Sequence, residues 1–184
     1  MRADAQRNRD RIVEVAREVF REHGYDASLD EVAKRAGVGA GTLYRHFPTR
    51  ENLLDAIMQS WVDRVDEAAA KALAHEGPAR DLLVAWFGAY VALISLHKGG
   101  PAKITSAMGD PASPIVHKCQ VLAAANERVV ARLREEGALR EGVDTVQICR
   151  LVGGVAAVAD QAGLGEDAVR PMLEVVADGL LIPA

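Results

Sequence analysis

Residues 28–47, Ser-Leu-Asp-Glu-Val-Ala-Lys-Arg-Ala-Gly-Val-Gly-Ala-Gly-Thr-Leu-Tyr-Arg-His-Phe, read as a short helix, a tight turn and a second short helix. Ser28 and Glu31 have the spacing of a capping box, in which each side chain satisfies a backbone N–H at the helix start. Leu29, Val32, Ala33 and Ala36 recur at helical spacing and give the first helix a core face. Gly37 stands where that helix must stop, because glycine enters the left-handed conformation at little cost. Val38 fills the angle between the two helices. Leu43 and Phe47 bury the inner face of the second, which leaves Thr42, Tyr44, Arg45 and His46 on its other sides. This pattern is a helix-turn-helix, and the second helix of such a motif is the one that enters the DNA major groove.

Upstream, residues 7–22 place Ile12, Val15, Ala16, Val19 and Phe20 on one side of a helix that Gly24 ends. Downstream, Pro48-Thr49 is a start signal, with Thr49 as N-cap of a helix over 50–73 that carries Leu54, Ile57, Met58, Trp61 and Val65 on one face. Gly77-Pro78 is the clearest break. Beyond it the pattern predicts a helix over 79–98, a Gly-Gly-Pro break at 99–101 and a short helix near 102–108. After Pro111 and Pro114 come a long helix to about Glu136, another over about 144–162, a turn at Gly163-Leu-Gly165, and a last helix over about 166–181. No strand pattern and no repeat is visible. The expected fold is therefore all-α with about nine helices. A three-helix head occupies 1–50, the helix at 50–73 links onward, and 51–184 forms a second, helical domain.

Three stretches surrounding and overlapping the opening one strengthen the reading. They are Phe20-Arg-Glu-His-Gly-Tyr25, Gly41-Thr-Leu-Tyr-Arg-His-Phe47 and Pro48-Thr-Arg-Glu-Asn-Leu-Leu54. In this order and register, roughly residues 8–60 resemble the N-terminal DNA-binding domain of the TetR family of bacterial transcriptional regulators. The C-terminal half resembles, more loosely, the family's smaller SbtR-like variety. The resemblance implies a repressor that binds a palindromic operator in double-stranded DNA as a homodimer and leaves it when a small-molecule effector binds.

Charge is segregated along the chain. The net charge of −4 divides into +2 over residues 1–50 and −6 over 51–184, and residues 32–50 hold Lys34, Arg35, Arg45 and Arg50 with no acid. That window coincides with the DNA-reading element. A hydrophobic content of 49% with 4% aromatics suits an Ala-, Leu- and Val-rich helical protein. The charged N-terminus does not read as a signal peptide. The longest apolar run, 82–96, is shorter than the about 20 residues a bilayer needs, so no membrane partner is expected and the chain reads as soluble and cytoplasmic.

The candidate DNA-binding residues are Ser28, Lys34, Gly39, Ala40, Gly41, Thr42, Tyr44, Arg45, His46, Thr49 and Arg50. Lys34, Arg45 and Arg50, with Arg35 nearby, offer charge to phosphates and would make binding salt-dependent. By resemblance, Tyr44 and His46 match positions whose side chains hydrogen-bond phosphates on either side of the groove. Helix starts at Leu29 and Arg50 present backbone N–H groups, with Ser28 and Thr49 alongside. Base reading falls to Gly39, Ala40, Gly41 and Thr42, where Thr42 can touch a thymine methyl and Ala40 makes apolar contacts. Family members often carry Ser or Thr where Gly39 stands. Alternatives remain at this level: Tyr44 as a half-buried aromatic, His46 as a surface cap, Arg45 facing solvent, and Arg2, Arg7 and Arg9 as either a minor-groove arm or a frayed terminus.

One helix-turn-helix holds one half-site, so a palindrome requires a dimer. Cys149, Gly153, Ala156, Ala157 and Asp160 form a small-residue stripe, and Val169, Met172, Leu173, Val176 and Leu180 supply apolar area on the last helix. By resemblance these helices pair with their copies in a four-helix bundle; the alternative is packing inside the monomer. Between head and dimer helices, Leu83, Trp86, Phe87, Tyr90, Ile94 and His97 share one side of their helix, and Ile115, Cys119, Leu122, Asn126 and Val129 share a face of the next long one. Trp86, Phe87, Tyr90, Ile94, His97, Cys119, Leu122 and Asn126 read either as plain core or as the wall of an effector pocket. Asn126, an amide on an apolar stripe, needs a partner.

No enzyme is expected. The His, Cys and carboxylate residues show no metal-ligand spacing, and His117-Lys-Cys119 puts its pair on different sides of a helix. Neither a metal nor a cofactor is called for. Cys119 and Cys149 lie among apolar neighbours, where cysteine is usually an inert small hydrophobe rather than a redox sensor.

Overall fold

The structure is a computed structural model that describes residues 2–23, 27–96, 98–108, 110–113 and 115–183. Gly24, Pro114 and the pocket candidate His97 lie outside the described residues, as does the side chain of Arg2. Among the described residues the fold is all-α, with nine helices: α1 Arg2–His23, α2 Leu29–Arg35, α3 Ala40–His46, α4 Arg50–Leu73, α5 Ala79–Ile94, α6 Gly100–Ala107, α7 Val116–Glu135, α8 Thr145–Ala162 and α9 Glu166–Leu180. They form two compact units, Met1–Asp63 and Arg64–Ala184. The division falls inside α4 rather than at residue 50, because Leu53 and Ala56 of α4 belong to the first unit's core.

Three boundaries differ from the periodicity. α1 starts at Arg2 instead of residue 7, so Arg7 and Arg9 lie on a helix and do not form an extended arm. α5 stops at Ile94, and the Gly-Gly-Pro stretch starts α6 instead of separating it. Gly99 takes φ +75° just before that helix, and Pro101 sits in its first turn, where the missing N–H would have had no helical partner. α9 ends at Leu180, since Leu181 bridges to Leu139: Arg140 N–H donates to Leu180 O (3.0 Å) and Ile182 N–H to Ala138 O (2.9 Å).

The first unit is held by one apolar cluster. Ile12, Ala16, Val19 and Phe20 of α1 meet Leu29, Val32 and Ala33 of α2, Leu43 of α3, and Phe47, Leu53 and Ala56 beyond. Val38 packs partly buried against it, between α2 and α3 as its position suggests. In the second unit, α5 packs against α6, α8 and α9, and α8 against α5, α6, α7 and α9. α5 is buried almost all round through Leu82, Leu83, Val84, Trp86, Phe87, Tyr90 and Ile94. Such a helix reads as a core helix. Arg80 joins α5 to α9, donating to Asp178 (2.6 Å) and Glu174 (3.4 Å). Pro171 stands within α9, in an otherwise largely exposed first half where water can take the carbonyl it leaves unpaired.

Candidate nucleic-acid interface

The angle between α2 and α3 is set by a Schellman motif. Gly37 adopts φ +64°, its N–H donates to Lys34 O (3.2 Å), and Val38 N–H reaches Ala33 O (3.0 Å). At the start of α2 Ser28 caps the helix, but through its second residue and not its third, so the expected capping box does not form. Ser28 Oγ accepts from Asp30 N–H (3.2 Å), whereas the Glu31 carboxylate turns to His23 (3.4 Å) and Arg35 (3.9 Å). At α4 the box is complete but uses an amide. Thr49 Oγ1 accepts from Asn52 N–H (3.2 Å), and Asn52 Oδ1 accepts from Thr49 N–H (3.3 Å). Gly39, extended at ψ 150°, leaves the start of α3 without a side-chain cap.

Buried Leu43 and Phe47 turn α3 so that Ala40, Gly41, Tyr44 and Arg45 are exposed and Thr42 and His46 half-buried. Tyr44 is the exposed aromatic of the described residues, at 46%. The side chains of Thr42, Tyr44 and Arg45 have no hydrogen bond or ion pair among the described residues. Ser28, Lys34, Gly39 and Thr49 are exposed too. Arg50 is half-buried, with its guanidinium 5.6 Å from the Phe20 ring centre, and His46 lies 6.3 Å from the Phe47 ring.

Two features escape a linear reading. Arg35, counted among the phosphate-facing cations, is spent inside the unit: Glu22 accepts from it at 2.6 and 3.3 Å, and Glu18 and Glu31 stand at 3.7 and 3.9 Å. The Arg35 hydrogen bond holds the Glu22 carboxyl below its ordinary range. Secondly, the window 32–50 is free of acid in sequence but not in space. Asp4 of α1 lines a shallow cleft with Ala5, Asn8, Arg45 and His46, and it pairs with Arg7. Arg9 lies over the Phe47 ring at 5.4 Å, fixing the start of α1 beside the end of α3. The signal in the sequence for this is the helix propensity of residues 2–6, which carries α1 back to Arg2.

In the second unit Trp86, Phe87, Tyr90, Ile94, Cys119, Leu122 and Asn126 are all buried. Asn126 finds its partners within the chain: Oδ1 accepts from Trp86 Nε1 (2.8 Å), and Nδ2 donates to Thr145 O (3.3 Å). Burial pushes the Cys119 thiol up and the Cys149 thiol up to about 11, so both stay protonated at neutral pH. The small-residue stripe of α8 does not face outward. Cys149, Gly153 and Ala156 are buried, and a Cβ on Gly153 would lie 2.2 Å from Thr105 Oγ1 of α6. Val169, Leu173 and Leu180 are likewise spent within the unit, while Met172 and Val176 are half-buried. Exposed apolar side chains on these elements are instead Leu151 and Val158 of α8, Leu164 in the turn, Val175 of α9, and Ile182. The stripe is small because α6 crosses there.

Residues 12–57 match the family model of bacterial regulatory proteins, tetR family, and residues 78–182 match that of the C-terminal domain of SbtR-like transcriptional regulators. Over 64 residues the chain is 44% identical to HTH-type transcriptional regulators of Staphylococcus aureus. That match covers 34% of this chain and 35% of theirs, so the chain spans about a third of the length of the curated relatives it matches. Along its whole length it is similar to a TetR transcriptional regulator from Streptomyces coelicolor (30% identity, TM-score 0.70, 96% of this chain and 99% of that one). It is also similar to a TetR transcription regulatory protein from Mycobacterium vanbaalenii (32% identity, TM-score 0.66, 98% and 99% covered). A TetR-family protein from Rhodococcus, at 21% identity and a TM-score of 0.72 over 95% of this chain and 98% of that one, shares the fold.

Proposed function

This chain belongs to the TetR family of DNA-binding transcriptional regulators, and from that premise we propose that it is a cytoplasmic repressor that holds a palindromic operator as a homodimer and is released by a small-molecule effector. The observation that carries the DNA reading is the contrast between two cations. Arg35 is neutralised by three carboxylates, whereas Arg45, with Tyr44 and Thr42, stands uncommitted on the outer side of α3. Uncommitted side chains on the second helix of a helix-turn-helix are available to phosphate and base edges.

Tyr44, Arg45, His46, Lys34, Thr49 and Arg50 serve phosphate, which positions without specifying; Thr42 and Ala40 meet base edges. Thr42→Ala therefore relaxes the choice of base, while Tyr44→Phe weakens all sequences alike. If Tyr44→Phe instead alters preference at one base pair, the assignment is wrong. The second copy docks on the exposed apolar side chains of α8 and α9, Leu151, Val158 and Val175, in place of the buried small-residue stripe. An effector lodges among the buried residues of α5, α7 and α8. It shifts the population away from DNA by as much as its affinities for the two states differ.

Selection of bound sequences from a random DNA pool at physiological salt tests the reading. An enriched inverted repeat is the expected result. Recovery of no sequence, with binding confined to low salt, overturns it.

A further inference from the structure

Resting on the DNA reading above, we propose that His46 makes DNA binding proton-linked: the head holds phosphate more tightly when the imidazole is charged and loosens as pH rises through the histidine range. Histidine is the side chain whose ordinary titration falls between about pH 5 and 8. The first unit has two of them, in different company. His23 stands beside the carboxylates of Glu31 (3.4 Å) and Glu22 (3.7 Å), in the cluster that neutralises Arg35. His46 is half-buried at the end of α3, next to the uncommitted Tyr44 and Arg45.

The charged groups facing His46 are fixed across that range. From α1, Asp4, Ala5 and Asn8 line its cleft, and Asp4 is paired with Arg7. Arg45 joins them from α3 itself. Just beyond the helix end the Phe47 ring lies 6.3 Å from the imidazole, and the Arg9 guanidinium lies over that ring at 5.4 Å. No described residue of α2 lines the cleft. Aspartate and arginine titrate well outside the histidine range, so the imidazole is the group here that changes charge. Its protonation adds a cation to an edge that already offers Arg45. A neutral ring can donate to phosphate through one nitrogen; the charged ring donates through both and releases a counterion as well. Phosphate in turn favours the charged ring, so DNA binding and proton uptake reinforce each other.

Phosphate contacts carry no sequence information, so the test needs no operator. The full chain is titrated, at equal ionic strength and at about pH 6 and about pH 8, into a mixed-sequence duplex carrying a rhodamine, and anisotropy reads the binding. Affinity is expected to be about fivefold higher at the lower pH for each bound head, the worth of one added charge near a phosphate at an exposed site. The slope of log affinity against log salt should also be steeper there, by about 0.9 per bound head. His46→Gln should remove both differences, and His23→Gln should keep them. His46→Lys should bind at the higher pH about as tightly as the unaltered protein does at the lower one, a gain that loss of folding cannot imitate. Equal affinities and equal slopes at the two pH values overturn the proposal and leave the DNA reading standing. So does a pH dependence that survives His46→Gln or vanishes in His23→Gln. Binding at neither pH, even at low salt, removes the DNA reading as well.

Discussion

At Arg35 and Arg45 the same side chain type has two fates, decided by what the neighbouring helix presents. Glu18 and Glu22 of α1 reach Arg35 across the α1–α2 contact, while none of the described residues reaches Arg45 with a hydrogen bond or ion pair. The Asp4 carboxylate shares the cleft of Arg45 and His46, so on the DNA reading proposed above it opposes phosphate there. Asp4→Asn should raise affinity for all DNA sequences by about two- to fivefold at low salt, and the gain should fade as salt screens it. Anisotropy titrations at two salt concentrations read this, and equal affinities at low salt refute it. Cys149 makes a prediction about alkali. Its folded pKa, raised by burial to about 11, lies above the ordinary 9.0 it regains on unfolding. Stability from this group is therefore present in full below pH 9.0 and drains away between there and about 11, because the unfolded chain sheds the proton first. Urea midpoints should fall across that window, and fall less steeply in Cys149→Ala.

Among the elements, α6 is strapped along α8 at both ends. Asp160 Oδ2 accepts from Gly99 N–H (2.7 Å), supplying a carboxylate to a helix start that has no side-chain cap of its own. Arg150 donates to Met108 O (3.2 Å) at the other end. Between them Gly153 lets Thr105 approach, and Thr105 Oγ1 donates to Pro101 O (2.8 Å). Gly153→Ala should destabilise the protein by about 1–3 kcal/mol through overpacking. Adding Thr105→Ala should recover part of the loss, because it removes the atom that the new methyl would meet. Thermal unfolding of the single and double variants checks this; an unchanged melting temperature in Gly153→Ala would show that the contact gives way freely. The start of α6 differs from the sequence expectation for a related reason. Gly-Gly-Pro is a breaker in isolation, but with Asp160 across from Gly99 it becomes a start.

For the whole molecule, the homodimer proposed above raises the question of where a second copy would rest. Leu151 and Val158 lie seven residues apart on α8 at 52% and 50% exposure, and Val175 on α9 is 73% exposed. Apolar side chains exposed together on one face, unlike ones scattered singly, mark an interaction surface, and Leu151 and Val158 share a face of α8 two turns apart. Leu151→Glu with Val158→Glu should yield a monomer by sedimentation that melts within a few degrees of the unaltered protein, and its affinity for a palindromic operator should drop at least tenfold. A variant that remains dimeric would move the interface elsewhere.

The helix-turn-helix, the all-α fold and most helix ends are legible in the order of residues alone, because capping, left-handed glycines and apolar period are local properties carried by residues a few positions apart. Gly37 and Thr49 act as their neighbours in sequence dictate. The family was legible there for the same reason. Long-range packing settles the rest: that Arg35 is neutralised, that Asp4 stands beside Arg45, that Asn126 pairs with Trp86, and that α6 fills the small-residue stripe of α8. Periodicity tells which side of a helix is apolar. Which of two apolar sides meets a neighbour depends on how the other helices pack, and that is a property of the assembled fold.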